Sequence, residues 1–410
     1  MNFSGILKKI SATLFFAIIS LVSFAQEAAT NDLADAVIND QRYNRAIHIM
    51  VMLLIGFGFL MVFVRKYGRS ALTATFLLVS TALPLYFLIK STGINGHEHG
   101  EVQKLILAEF GAASLLIAAG AVLGRLKMPQ YILLGILFVP AYAFNEWMVL
   151  GGGLGLIDPG SVVDVGGSIV IHAFGAIFGL GVALTMTTKQ EMEKTIESDA
   201  TSDRYSMLGS MALWIFWPSF CAALVTPAEM PHTVVNVIMA LCGSTLATYI
   251  FSISLRKKIS IADIANAALA GGVAIGSSCV AANHTMAAII GIMAGGVSTM
   301  GFALIQSRQQ SWMKIIDTCG VTNLHGIPGL MGGLAVIPLV KGLNIGSQML
   351  GMLLTVVVAL ATGFLVGKIL PILGRKEEAY DDAEEFLDVE AEEIKPRVPE
   401  FKKEEAVRPN

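Results

Sequence analysis

Residues 164–175 read DVGGSIVIHAFG, and residues 317–326 read DTCGVTNLHG. In each, an aspartate stands eight positions before a histidine, in a run otherwise apolar enough to cross a membrane. Ionisable groups at that depth are costly, so a pair repeated at one spacing signals function. Eight helical residues rise about 12 Å, which puts each aspartate near a membrane surface and each histidine near the midplane. Small residues follow both histidines: Gly175 and Gly179 after His172, Gly329 and Gly333 after His325. Small-xxx-small faces let helices approach closely, so the two histidine helices are predicted to cross mid-membrane with their imidazoles meeting. Pro328 is placed to distort the second of them. Asp164 and Asp317 each precede glycines at a helix start, where a carboxylate caps free N–H groups. Both therefore read first as anchors.

The rest of the chain is of the same kind. Of 410 residues, 54% are hydrophobic and 14% charged, and the mean hydropathy is +0.68. That excludes a single soluble core and predicts an all-α polytopic membrane protein. Apolar segments near 45–64, 71–92, 102–124, 129–150, 166–187, 206–226, 232–255, 262–281, 285–305, 316–339 and 346–370 make eleven transmembrane helices. The fifth and tenth then run in opposite directions, as two inverted five-helix repeats with a site at their interface require. Lys8 and Lys9 precede an apolar run ending in SFA at 23–25, which predicts a signal peptide over residues 1–25. A short periplasmic segment over 26–44, a transmembrane domain over 45–372 and an acidic tail over 373–410 follow. Arg65, Lys66, Arg69, Arg125 and Lys127 fall in breaks on one side of the predicted topology. The positive-inside rule makes that side cytoplasmic, with the mature N-terminus outside and the tail inside. The tail reads as solvated and carries no nucleotide or kinase motif. Cys221, Cys242, Cys279 and Cys319 lie in apolar stretches without disulfide or zinc spacing and read as small core residues. His97 and His99 in GHEHGE read as a solvated loop.

With these residues in view, the sequence resembles the Rh branch of the ammonium transporter (Amt/Mep/Rh) superfamily over residues 45–370. HIMVMLLIGFGFLMVF, AEFGAASLLIAAGAVLGRL, LWIFWPSF and NAALAGGVAIG carry the likeness, along with the two aspartate–histidine stretches. The resemblance implies the Amt/Rh fold, a homotrimer, and one narrow pore through each subunit of a channel in the bacterial inner membrane. It makes His172 and His325 the paired pore histidines, and Phe110 and Phe220 a stacked aromatic gate at the outer mouth. Without it, both phenylalanines are ordinary core residues. Glu146 matches an acidic vestibule residue of Rh proteins, its alternative being a solvated rim carboxylate. The chain departs from classical Amt proteins in lacking a tryptophan before Asp164 and a serine after Phe220. The cation–π cage for ammonium is incomplete, which implies low affinity. Rh proteins tend to carry asparagine after the gate phenylalanine, where this chain has Cys221.

A bare charge mid-membrane costs from about 3 to over 10 kcal/mol. Ammonium loses its proton about two pH units above neutral, so shedding it first costs roughly 3 kcal/mol. The expected route is therefore deprotonation at the mouth and passage of ammonia through an apolar twin-histidine pore, electroneutral and of low affinity. Neutral imidazoles suit it, each offering one donor and one acceptor. The expected partners are ammonia or ammonium, with methylammonium and carbon dioxide as further loads, and membrane lipid; no nucleic acid is implied. The rival readings are a carbon dioxide channel and an ammonium sensor of the same fold. An intramembrane metalloenzyme fits poorly, because an aspartate about two turns from its histidine cannot share one ion with it along a helix. No enzymatic activity, metal or cofactor is expected.

Overall fold

The computed structural model describes residues 33–93 and 100–387. The expected signal peptide, the loop holding His97 and His99, and the end of the acidic tail lie outside them. Among the described residues there is no strand, and nine helices are long and apolar enough to cross a membrane. They are α1 (Leu33–Phe63), α2 (Gly68–Ser91), α3 (Glu101–Ala121), α4 (Met128–Val149) and α5 (Ser168–Met186), then α7 (Met230–Arg256), α8 (Ile261–Ser278), α9 (His284–Met313) and α11 (Ile345–Leu373). Two more helices occupy the sixth and tenth expected positions. These are α6 (Ala200–Cys221) and α10, which combines Thr322–Gly326 with Ile327–Leu339. Neither is among the nine marked by length and composition alone.

The packing is that of a bundle whose solvent is hydrocarbon. Phe76, Leu88, Ile215, Leu246 and Leu353 are each more than half exposed on the outside, while Ser114, Asn236 and Gln348 are wholly buried inside. With no water to satisfy backbone groups in lipid, the interior polar side chains supply the bonds that irregular backbone loses. Ser114 Oγ donates to the carbonyl of Ile171 at 2.7 Å, and Ser168 Oγ to that of Val273 at 2.6 Å. Gln348 takes the N–H of Val163 and donates to the carbonyls of Val163 and Gly333.

Gln348 thus ties the start of the α5 segment to the far part of α10. At the opposite end, Arg125 joins Thr187, just past α5, to the carbonyl of Ile316, just before α10. The two histidine helices therefore run antiparallel, with Asp164 and Asp317 on opposite sides of the bundle. Their glycines divide the labour differently from the sequence expectation. On α10, a Cβ at Gly329 would lie 2.5 Å from the carbonyl oxygen of Ser168, so this glycine does bring α10 onto α5. Gly175 and Gly179 instead face the carbonyls of Ser114 and Ala118 on α3. A sequence shows that a stripe is small, not which neighbour it meets.

The near part of the tail stays largely exposed, as expected, but it is docked on the bundle through a few residues. Asp382 is 7% exposed and accepts the N–H groups of Arg69 and Ser70, capping the first turn of α2. Glu385 accepts the N–H of Met128 at the start of α4. Tyr380 lies over Gly124, whose φ of +83° and 2.3 Å from any Cβ to the tyrosine ring admit only glycine. Lys194 pairs with Glu378, and Arg375 donates to the carbonyl of Met186. Acidic composition suggested a solvated tail because composition does not reveal uncapped helix starts that need acceptors.

Candidate functional site

Both histidines sit in π-helical segments, Ser168–Ala173 and Thr322–Gly326. Single π turns widen a helix and re-aim its side chains, and they recur at functional sites. The local cause is the same in both. An aspartate starts a turn that closes on a glycine in the left-handed region, Gly167 at φ +74° and Gly320 at +64°. The carboxylate then caps the helix that follows. Asp164 accepts from the N–H groups of Ile169 and Val170, and Asp317 from those of Val321 and Thr322, all at 2.8–3.1 Å. Asp164 also receives the hydroxyl of Ser277 at 2.6 Å, which fastens it to α8. Pro328 follows its π segment, but α5 forms one without any proline, so the aspartate–glycine turn, not the proline, is what the two histidine segments have in common.

The two imidazoles meet in the interior. His172 Nδ1 lies 3.2 Å from His325 Nδ1, with the rings nearly parallel at 10° and their centroids 5.2 Å apart. One proton lies between two nitrogens, so one ring donates and the other accepts. The donating ring is left with an unprotonated Nε2 and the accepting ring with an Nε2–H. The pair consequently offers a visiting molecule one acceptor and one donor. His172 Nε2 is buried and bonded to no protein atom.

Trp217 stacks on His172 with centroids 5.5 Å apart, and Phe57 lies 6.3 Å from His325. Neither carried a motif in the sequence; an aromatic in an apolar helix looks like core until the imidazole beside it is placed. Phe110 and Phe220 do touch, with centroids 4.7 Å apart, but are tilted at 49° rather than parallel. Phe220 is also 6.0 Å from His172, and its neighbour Cys221 packs on Gly166, which sets the aromatic pair on the Asp164 side of the histidines. On the Asp317 side, a cavity of about 20 Å³ is lined by Phe57, Leu60, Ile117, Leu324 and His325. It has room for one water-sized molecule.

Glu146 is paired and buried rather than solvated, in the last turn of α4. It is 8% exposed, accepts the Tyr86 hydroxyl at 2.6 Å and pairs with Lys90 at 3.0 Å. Cys221 is buried behind the Asp164 turn, where a Cβ on Gly166 would come within 2.9 Å of its sulfur. Two charged residues escaped the sequence reading. Arg125 looked like an orientation signal but is 1% exposed and donates to the carbonyls of Ala121 and Ile316. Glu109, beside Phe110, is wholly buried with both oxygens unbonded to protein. Its place next to Phe110 was the available signal.

The profile of the Ammonium Transporter Family matches residues 11–386. Ammonium transporter Rh type A of Canis lupus familiaris is 37% identical over 315 residues, 73% of each chain. Ammonium transporter Rh type B of Homo sapiens is 39% identical over 312 residues, 74% of this chain and 66% of that protein. Among solved structures, Nitrosomonas europaea Rh50, described as a channel of the Rhesus protein family, superposes with a TM-score of 0.84 at 51% identity. The match covers 86% of this chain and 93% of that one. Candida albicans Mep2 superposes at 0.67 with 17% identity, over 82% and 83% of the two chains, which extends the likeness in fold.

Proposed function

The chain belongs to the ammonium transporter family, in its Rh branch, and from that premise we propose that it conducts ammonia. In this reading ammonium arrives at the Phe110–Phe220 side and gives its proton to bulk water there. Neutral ammonia then passes the histidine pair. The observation that carries the proposal is the shared-proton contact between His172 and His325. An acceptor and a donor side by side match ammonia, which has a lone pair and N–H groups, and offer nothing to balance a cation. Each ring replaces water that ammonia gives up on entry. The apolar walls of the small cavity beyond make the ion the more costly species throughout.

The reading has further parts. Asp164 and Asp317 hold the π segments and do not touch the load. Glu146 positions Tyr86 and α2 beside the mouth. Eleven spans in two inverted repeats, a homotrimer in a bacterial inner membrane, an outside N-terminus after signal cleavage and a cytoplasmic tail complete it. The pore residues act as a conduit, without catalysis or cofactor.

The test uses protein-loaded liposomes under an ammonium gradient, with internal pH and electrode current recorded together. The expected result is rapid protein-dependent alkalinisation without matching current, following the ammonia gradient as pH is varied at fixed total ammonium. A current equal to the transported nitrogen would overturn the proposal. A second reading, conduction of carbon dioxide, rests on the lining of the same cavity, which is largely apolar and holds no charged group. Carbon dioxide entry into the same liposomes, read as acidification, separates the two.

A further inference from the structure

On the Asp164 side of the bundle, the first turns of α7 and α9 bring His232 and His284 together. Their ring centroids are 5.1 Å apart at 42°, and both residues are exposed. Buried Asn236 stands between them. Its Nδ2 lies 2.8 Å from the carbonyl oxygen of Cys279 and 2.7 Å from that of Ala282. Carbonyl oxygens only accept, so this atom is the amide nitrogen and the other is Oδ1. Oδ1 lies 2.8 Å from His284 Nδ1, which must therefore carry a proton and donate. His232 Nε2 lies 2.8 Å from the Ala282 carbonyl and must donate too. Its 3.0 Å approach to Asn236 Nδ2 is that of two donors aimed at one oxygen.

These bonds fix both tautomers. In the neutral rings, His232 Nδ1 and His284 Nε2 are left as the bare lone-pair nitrogens. A histidine whose other N–H is held by a carbonyl oxygen is the form in which proteins present imidazole to a metal. Two imidazoles side by side on one ion, with metal–nitrogen bonds near 2.0–2.1 Å, have centroids roughly 4.5–5 Å apart, from a tetragonal to a tetrahedral angle. We propose that His232 and His284 form a two-histidine site for a divalent transition-metal ion, bridging α7 and α9 at the membrane surface. Among the described residues no third His, Cys, Asp or Glu completes a cluster, so water fills the remaining positions. Imidazole ligands with open positions favour Cu²⁺, with Zn²⁺ and Ni²⁺ weaker and Mg²⁺ excluded. A bound ion would also brace Asn236, which holds the carbonyls that follow Ser277, the partner of Asp164.

The experiment titrates Cu²⁺ into tag-free, full-length protein in lipid nanodiscs, followed by electron paramagnetic resonance. The expected result is one saturable site per subunit with two-nitrogen hyperfine structure. His232→Ala or His284→Ala should leave one nitrogen and weaken binding by about tenfold or more. His97→Ala/His99→Ala should change neither. A second measurement needs no variant: Zn²⁺ should protect His232 and His284 of the wild-type protein from carbethoxylation, read by mass spectrometry, while Mg²⁺ does not. Retained two-nitrogen binding in the His232→Ala/His284→Ala protein would overturn the proposal. So would loss of the site with His97 and His99, an absence of saturable binding, or protection falling on other histidines.

Discussion

His172 Nε2 is buried without a protein partner, and a buried nitrogen of that kind calls for a bound molecule to satisfy it. Because His172 and His325 share one proton, removing either ring leaves the other with an altered pattern of donor and acceptor. The double variant His172→Ala/His325→Ala should therefore conduct little worse than the more severe single variant, with a coupling of about 0.5–3 kcal/mol in the rate comparison. Additive losses in the liposome assay would mean the rings act separately. Phe220 touches both Phe110 and His172, so Phe220→Ala should change ammonia flux while leaving the melting temperature within a few degrees. Unchanged flux in a stable variant would remove it from the gate. Glu109 invites a different test, because an ionised carboxylate without a partner is not sustained in such a place. Glu109→Gln, of nearly equal shape and no charge, should melt within about 1 kcal/mol of the parent, whereas Glu109→Lys should prevent assembly. Strong destabilisation by glutamine would mean the carboxylate is ionised and paired through water.

The aspartate–glycine turns show how a helix can be made irregular at one chosen place. A left-handed glycine swings the carboxylate back over the helix start, and the π turn that follows carries the histidine inward. Asp317 is bonded by two backbone N–H groups, while Asp164 takes two and a serine hydroxyl. Asp317→Ala should cost about 1–2 kcal/mol in unfolding, and Asp164→Ala more, as seen in thermal melts in detergent. Equal, negligible losses would show the caps to be dispensable. Gly329 belongs to this scale as well, since its missing side chain sets the approach of α10 to α5.

Across the whole molecule, the tail joins the ends of helices far apart in sequence. Asp382 caps α2, Glu385 caps α4, and Glu384 pairs with Lys127 and Lys376. Burial pushes Glu384 up, but the N–H of Glu377 and the two lysines outweigh it and hold the carboxyl below its usual range. A depressed carboxylate contributes at pH above its ordinary value and stops contributing as pH falls through the lowered one. Docking should accordingly persist through neutral pH and loosen only in acid, visible as faster proteolysis of the tail. Asp382→Ala should loosen it already at neutral pH and cost about 1 kcal/mol. Indifference of proteolysis to both would mean that Tyr380 and the remaining polar contacts hold the tail without Asp382 and Glu384.

Hydropathy, period and the repeated Asp-x7-His spacing are local properties, and they carried the membrane class, the approximate bounds of the helices and the meeting of His172 with His325. Family-specific stretches added Phe110 and Phe220, which no physical pattern in the chain distinguishes from core. What the sequence left open depends on atoms far apart along it. Which helix Gly175 meets, the pairing of Glu146 with Lys90, the burial of Arg125 and the capping of α2 by Asp382 are all long-range facts. So is the meeting of His232 with His284 across Asn236. Hydrophobicity is a sum over neighbours in sequence, whereas a hydrogen bond or a close glycine contact needs two particular groups within about 3 Å. Only the folded chain decides which groups those are.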